Sequence, residues 1–393
     1  MKFRLQLTIL AFGLLALLAG PVGLAAQEEK PQPTRYTVTD LGLVGGTPGQ
    51  AYGISNGGLV VGAAAASPTV MHAILWYHRL KVDIGARGLG GPNSAGFGVN
   101  EYGQIVGSAE TSTPNSEDFC GFNTYGFPSL TDCLPFVWQF GRMTALPTLG
   151  GANGQALAIN NAGEVAGMAE TPNADPNPDC AVSQFRPVIW EKGQIRELPT
   201  YPGDADGIPV GINDKGQVVG GSGACGAFNP LSGFYYVDYH ALLWESDGSV
   251  HDLGNLGGSG SAALPVGNFA IGINNQGQVV GHSDLPNNTT FHAFLWTSET
   301  GMRDLGTLLG DVASLAIDIN DGGDVVGASL DASFNPRAVL WENGAPVDLN
   351  TRIVSNPANL TLQLAWSINS RGEIVGLAVT NTGEAHAFAA TPL

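Results

Sequence analysis

The chain carries little charge. Asp, Glu, Lys and Arg make up 13% of its 393 residues, and basic residues are scarcest, 16 against 34 acids, for a formal charge of −18. No basic cluster offsets this, so nucleic acid and anionic lipid surfaces are excluded as partners on electrostatic grounds. No stretch repeats apolar residues at a 3.6-residue spacing, which argues against helical repeats. The chain has no S-x-D-x-G-x-x-W box, no H-E-x-x-H pair and no GGxGxD calcium repeat, so three familiar hydrolase and metal signatures are missing. Cysteine is rare too. The four present, Cys120, Cys133, Cys180 and Cys225, allow three pairings.

Glycine is abundant, with 56 copies, and proline adds 24. Such a composition suits many short strands joined by tight turns. The N-terminus reads as an export signal over residues 1–26. Lys2 and Arg4 supply the positive start, Leu7 to Ala19 is an apolar run too short to span a bilayer, and Gly23-Leu24-Ala25 offers a small-x-small cleavage site. Residues 27–34 are polar and are expected to be a flexible mature terminus. A secreted protein, extracellular or periplasmic and monomeric, is expected, with residues 35–393 as one domain. In that setting an even cysteine count suggests disulfides.

One sentence recurs through the chain. Its cleanest copy runs from Ala270 to Asp311: AIGINNQGQVVG, a loop, HAFLW, a turn, then GMRDLGTLLGD. Seven copies have closing glycines at Gly62, Gly107, Gly167, Gly220, Gly281, Gly327 and Gly376, spaced 45 to 61 residues apart. A β-rich repeat of this length is a propeller signature, because one blade is a four-stranded sheet. The four strands read as AIGIN, V-V-G, H-A-F-L-W and D-L-G. Between the first two, I-N-x-x-G makes a hairpin whose glycine supplies a positive φ. Blade 1 carries Ser55 where the others carry Asn. The pattern resembles the HAF family of extracellular repeat proteins, whose name spells the His-Ala-Phe found at His292-Ala293-Phe294 and His386-Ala387-Phe388. The resemblance implies export and a repeat fold, and little about activity.

Comparing the copies reveals a paired feature. The first residue of strand three and the acid of strand four are His72 with Asp83, Arg186 with Glu197, His240 with Asp252, His292 with Asp304, and Arg337 with Asp348. Blade 2 has Leu134 and Ala145, losing both together. Facing positions of a hairpin are expected, hence a structural pair in each blade. The last repeat has His386 but no following acid, whereas Asp40-Leu41-Gly42 stands alone at the other end. The expectation is an all-β, seven-bladed propeller of 28 strands, its last blade closed by the N-terminal strand, with Asp40 beside His386. The repeated histidines stand on strands too far from the axis to converge on one metal, so no metal site is expected.

Symmetry breaks in the loop between strands two and three. From the closing glycine to the next strand's first residue, the offsets are 10, 27, 19, 20, 11, 10 and 10. The three long loops belong to neighbouring blades 2, 3 and 4 and hold all four cysteines. The preferred pairing is Cys120 with Cys133, closing one loop, and Cys180 with Cys225, joining two blades. Candidate ligand-binding residues there are Phe119, Phe122, Tyr125, Phe127, Asp118, Asp132, Phe234, Tyr235, Tyr236 and Tyr239. Further acids are Glu117, Glu170, Asp175, Asp179 and Asp238. Aromatics would supply stacking area and disulfides would hold the loops in shape. The expected function is binding, to an extracellular protein or carbohydrate, with no cofactor beyond weak calcium binding at Asn173 to Asp179. Two other readings stand beside it: a cap that merely plugs the ring, and a carbohydrate-active enzyme, hydrolase or lyase, using the acids of the same face.

Overall fold

The computed structural model describes residues 33–393 except 43–44, 47, 79, 124–125, 179, 230–233, 259–266 and 287, and the side chains of 226–239 also lie outside the description. The expected export signal and most of the flexible terminus fall outside it. Among the described residues no helix is long and apolar enough to cross a membrane.

Seven sheets follow one another along the chain. After β1 (Tyr36–Asp40), blade 1 holds β2 (Gly49–Ile54), β3 (Leu59–Ser67), β4 (Val70–Tyr77) and β5 (Leu80–Asp83). Blade 2 holds β6 (Gly90–Val99), β7 (Ile105–Pro114), β8 (Thr131–Gln139) and β9 (Arg142–Ala145). Blade 3 holds β10 (Gly154–Ile159), β11 (Val165–Glu170), β12 (Phe185–Glu191) and β13 (Gln194–Glu197). Blade 4 holds β14 (Asp206–Ile212), β15 (Val218–Asn229), β16 (Phe234–Trp244) and β17 (Val250–Asp252). Blade 5 holds β18 (Phe269–Ile273), β19 (Val279–Asp284), β20 (Phe291–Thr297) and β21 (Gly301–Asp304). Blade 6 holds β22 (Ala313–Ile319), β23 (Val325–Leu330), β24 (Pro336–Glu342) and β25 (Ala345–Asp348). Blade 7 is assembled from both ends, with β27 (Thr361–Ile368), β28 (Ile374–Val379) and β29 (Ala385–Pro392) followed in space by β1.

β1 pairs antiparallel with β29 from Tyr36↔Pro392 to Asp40↔Phe388, and His386 Nδ1 lies 2.9 Å from Asp40 Oδ2. The strand count differs from the expected 28. A further strand, β26 (Ile353–Ser355), lies parallel to β1 and makes this sheet five-stranded. It comes from the long connection between blades 6 and 7 and covers the backbone edge that β1 would otherwise leave open.

The V-V-G signature has a steric cause. In every blade the first strand bulges, between Ala51 and Gly53 in blade 1 and between Ala270 and Gly272 in blade 5. The bulge points a carbonyl at the second strand. A Cβ on Gly62 would stand 2.0 Å from Gln50 O, and one on Gly281 2.0 Å from Phe269 O. Only glycine fits there.

The core lies mainly between blades. One apolar cluster fills each of the seven interfaces, as where Val106 of blade 2 meets Ala156, Val165, Val188 and Trp190 of blade 3. The repeated tryptophans belong to these seams. Trp190, Trp244 and Trp341 are at most 1% exposed, and each indole N–H donates to a carbonyl of the preceding blade's connection: Pro147, Pro199 and Leu305.

Two rows of inter-blade hydrogen bonds, six links in each, run round the tight-turn face. Each turn asparagine accepts from its own backbone, Asn100 Oδ1 from the N–H of Tyr102 and Gln104. Its amide then donates to the next blade, Asn100→Asn160 O, Asn160→Asn213 O, Asn213→Asn274 O, Asn274→Asn320 O, Asn320→Asn369 O and Asn369→Ser55 O, at 3.0–3.3 Å. Ser55 cannot pass the chain on, and its hydroxyl accepts from Leu59 N instead. The following residue makes the second row, in which the backbone N–H groups of Asn56, Glu101, Asn161, Asp214, Asn275 and Ser370 each donate to the neighbouring blade's side chain. Turn chemistry alone, the sequence expectation for these asparagines, covers only half of what they do.

Candidate functional site

The opposite face carries the long loops. The blade 2 loop, between β7 and β8, is closed by the Cys120–Cys133 disulfide. Its phenylalanines point inward. Phe119 is 6% exposed, and Phe122 and Phe127 are 3% exposed. Phe119 packs on Met168, Phe185, Ile208 and Phe269, above the first-strand residues Leu157, Val210 and Ile271. Phe122 and Phe127 pack on the other side, against Met71 and Ala63 of blade 1 and Ala95 of blade 2. The loop thus roofs first strands of several blades, and these three rings offer no stacking surface. Burying them stabilises the loop by roughly 1.5–3 kcal/mol each. Asp118 and Asp132 act locally as well. Asp118 accepts from Asn123 N, and Asp132 accepts from Asn115 Nδ2 at 3.0 Å. Tyr125 and Asp179, and the side chains of Phe234, Tyr235, Tyr236, Asp238 and Tyr239, lie outside the description. The backbone of that aromatic run belongs to β16, which pairs with β15 beyond the usual blade length.

Blades 2, 3 and 4 are stitched together by carboxyl groups and the second disulfide, Cys180–Cys225, which ties the blade 3 loop to β15. The amide of Asn153 donates to Glu117 Oε2 at 3.0 Å and Glu170 Oε2 at 2.9 Å, and Ser183 Oγ donates to Glu117 Oε1. Glu170 has no exposed surface. Burial, and then the neighbouring Glu117 carboxylate, push its pKa up to about 8. One of its oxygens, Oε1, has no other partner, as expected of a carboxyl that keeps its proton beside another carboxylate. Asp206 repeats the arrangement one blade on. It accepts from Phe185 N and Cys225 N, and burial, reinforced by Asp175, raises its pKa to about 7. Asp175 also caps its own turn by accepting from Asn177 N, and Asn177 Nδ2 donates to Cys225 O. Asp175 is close to both sulfurs of this bridge, but disulfide sulfurs are not thiolate ligands. The stretch expected to bind calcium weakly is engaged in these contacts.

The base–acid pairs are partly rearranged. His72–Asp83 is 2.8 Å, Arg186–Glu197 2.8 Å and His292–Asp304 2.9 Å. The two members are diagonal rather than opposite: Asp83 faces Ile74, and Asp304 faces Phe294. The expected His240–Asp252 pair does not form. His240 instead meets Asp204 at 2.8 Å, with Tyr201 stacked on its ring at 3.7 Å, while Asp252 accepts from Gly254 N. Arg337 is 2.5 Å from Asp311 and 3.6 Å from Asp348. Asp204 and Asp311 both end the preceding connection, and both stand where four other connections end in Gly-Gly. That replacement was the legible signal for the exchanged partners.

Three further groups were missed from sequence. Glu110 is buried and accepts from Asn93 N. His282 and Asp284 are buried on one side of β19 without hydrogen-bond partners for their side chains. Burial moves them oppositely, His282 down to about 4 and Asp284 up to about 6, each in the direction of its neutral form. By letters, Gly53-Ile54-Ser55-Asn56-Gly57 also matches the G-x-S-x-G nucleophile pattern. It joins two antiparallel strands rather than a strand and a helix, and Ser55 is 3% exposed, so it is the blade 1 hairpin and not a nucleophile elbow.

The fold is a seven-bladed β-propeller. No protein-family model matches the chain, and no curated protein matches it. Solved structures similar to it include the β-propeller domain of the Trilobed protease from Pyrococcus furiosus, at 10% identity and a TM-score of 0.48, covering 91% of this chain and 97% of that one. The WD40 β-propeller domain of Doa1 is 12% identical with a TM-score of 0.42, covering 89% and 96%. Trypanosoma rangeli sialidase in complex with sialic acid is 12% identical with a TM-score of 0.35, covering 74% and 52%. Such likeness concerns the fold, and function has to be argued from this chain's own site.

Proposed function

We propose that the protein is an exported binding module of the kind its repeats resemble. The propeller is the frame, and the outer surface of the cap formed by the long loops of blades 2, 3 and 4 is the recognition surface for an extracellular protein or carbohydrate. The observation that carries this is the preorganisation of the cap. Phe119, Phe122 and Phe127 anchor it from within, two disulfides close it, and carboxyl contacts cross from blade to blade. A surface held rigid before binding loses little conformational entropy when a partner docks. Two disulfides also suit an oxidising compartment outside the cytosol. The catalytic reading is weaker because Glu170, whose pKa is raised to about 8, has no exposed surface, and a general acid must reach the bond it protonates.

The test is a screen of glycans and extracellular proteins, with product analysis on every hit. Leu130, 68% exposed on the blade 2 loop, is then changed to Asp. Binding that falls with Leu130→Asp while thermal stability is kept supports the reading. Hits insensitive to every substitution on blades 2 to 4 would overturn it, and release of cleaved sugar would replace it with the enzymatic one.

A further inference from the structure

The connection from blade 1 to blade 2 departs from its counterparts. DLGLVGG at 40–46 and DLGNLGG at 252–258 take seven residues from the acid to the second glycine, whereas DIGARGLGG at 83–91 takes nine. The extra length forms a 3-10 turn at Gly85–Arg87. Beside it opens a cleft of about 560 Å³, lined by Val70, His72, Arg87 and glycine-rich backbone. The glycines have structural causes. A Cβ on Gly85 would strike Ser94 Oγ at 2.4 Å, and one on Gly91 would strike Glu110 Cβ at 2.5 Å.

Asp83 fastens both functional walls of this cleft. Its Oδ2 accepts from His72 Nδ1 at 2.8 Å, and its Oδ1 accepts from Ala86 N at 2.9 Å, in the turn that carries Arg87. In the three other copies that keep D-x-G that oxygen holds the glycine: Asp40 Oδ1 with Gly42 N, Asp252 Oδ1 with Gly254 N and Asp304 Oδ1 with Gly306 N. The contact of Nδ1 with Asp83 leaves Nε2 as the other polar atom of the His72 ring. Arg87 is exposed and has no ion-pair or hydrogen-bond partner among the described residues. The exposed Arg87 and the fixed His72 both line this depression.

We propose that this cleft binds an acidic sugar residue, its oxyanion on the Arg87 guanidinium and a hydroxyl hydrogen-bonded to His72 Nε2. The planar fork of arginine suits a carboxylate or a sulfate ester, and a sugar hydroxyl can donate to or accept from the imidazole nitrogen. The surrounding negative charge disfavours anions that cannot reach Arg87. The cleft adjoins the loop cap, Asn93 beside Pro92 donating to Pro128 O, but its lining shares no residue with the long loops, so Arg87 and Leu130 variants probe different residues.

The experiment is calorimetric titration of the full chain with D-glucuronate, glucose 6-sulfate, inorganic sulfate and D-glucose, for wild type, Arg87→Ala and His72→Gln. The expected result is binding of at least one acidic sugar, with glucose and inorganic sulfate weaker by about tenfold or more. Arg87→Ala should lose that binding by a similar factor with an unchanged melting temperature, because the side chain is exposed and unpaired. Comparing glucuronate with glucose 6-sulfate decides between carboxylate and sulfate. Equal binding of glucose and the acidic sugars, binding unaffected by Arg87→Ala, or no binding of either acidic sugar at millimolar concentration would overturn the proposal. His72→Gln keeps an acceptor but not its geometry, and it should weaken the acidic sugar more than inorganic sulfate.

Discussion

At Glu170, burial and the Glu117 carboxylate act in the same direction, and the folded-state pKa rises from 4.5 to about 8. The folded protein therefore holds a proton that the unfolded chain releases near 4.5. Stability from this group is complete below that value and is lost as pH rises through about 8. Asp206 acts in the same sense with a pKa of about 7. Glu170→Gln keeps the neutral form, so its melting temperature should vary less than that of wild type between about pH 5 and about pH 9. Identical profiles for the two proteins would mean that the proton is not held there. Trp244 is a packing residue: it has no exposed surface, and its indole donates to Pro199 O at 2.7 Å. Trp244→Ala should cost ~3–5 kcal/mol, measured by denaturant unfolding. A loss below ~1 kcal/mol would place the tryptophan outside the seam that holds blades 3 and 4 together.

The turn is the element that closes each blade onto its neighbour. The recurrent Asn and Gly were legible as a hairpin, and all seven glycines do take positive φ, from 72° at Gly103 to 86° at Gly323. The amide that reaches the next blade was not legible, because nothing local reveals how near another turn will lie. Ser55 is where the inner row stops. Ser55→Asn should extend it to Asn100 O and stabilise the protein by about 0.5–1.5 kcal/mol, read as a higher melting temperature. A lower one would show that the blade 1 turn cannot hold the amide that the other six accept. The paired base and acid show the same division. Their existence followed from comparing copies, but Asp204 displaced the expected partner of His240, and Asp311 joined Asp348 at Arg337, because the preceding connection folds over the strand end.

Across the whole molecule, the ring is shut by β1. Tyr36 and Val38, each 2% exposed, enter the seam between blades 6 and 7 with Leu340, Leu362 and Phe388. Deleting residues 36–40 removes both, along with the Asp40–His386 pair. At ~1.5–3 kcal/mol per buried side chain, the unfolding midpoint should fall by an amount equivalent to roughly 3–6 kcal/mol. Urea unfolding followed by tryptophan fluorescence measures it, and an unchanged midpoint would mean that the other three strands of blade 7 close the ring without β1.

The copies in the sequence determined the number of blades, the four-strand unit, the closure through Asp40 and His386, and the place where symmetry breaks. They could do so because strand alternation, turn glycines and a repeated acid are local properties of the chain. Only the tertiary structure decided what the interruptions do. Phe119, Phe122 and Phe127 read as surface aromatics in a polar loop, yet they are buried because blades 1 to 5 supply apolar ground beneath them. Glu117 and Glu170, 53 residues apart, share one amide only because neighbouring blades bring them together. Burial and charge coupling depend on what is near in space, and the open cleft beside His72 and Arg87 was hidden in the sequence for the same reason.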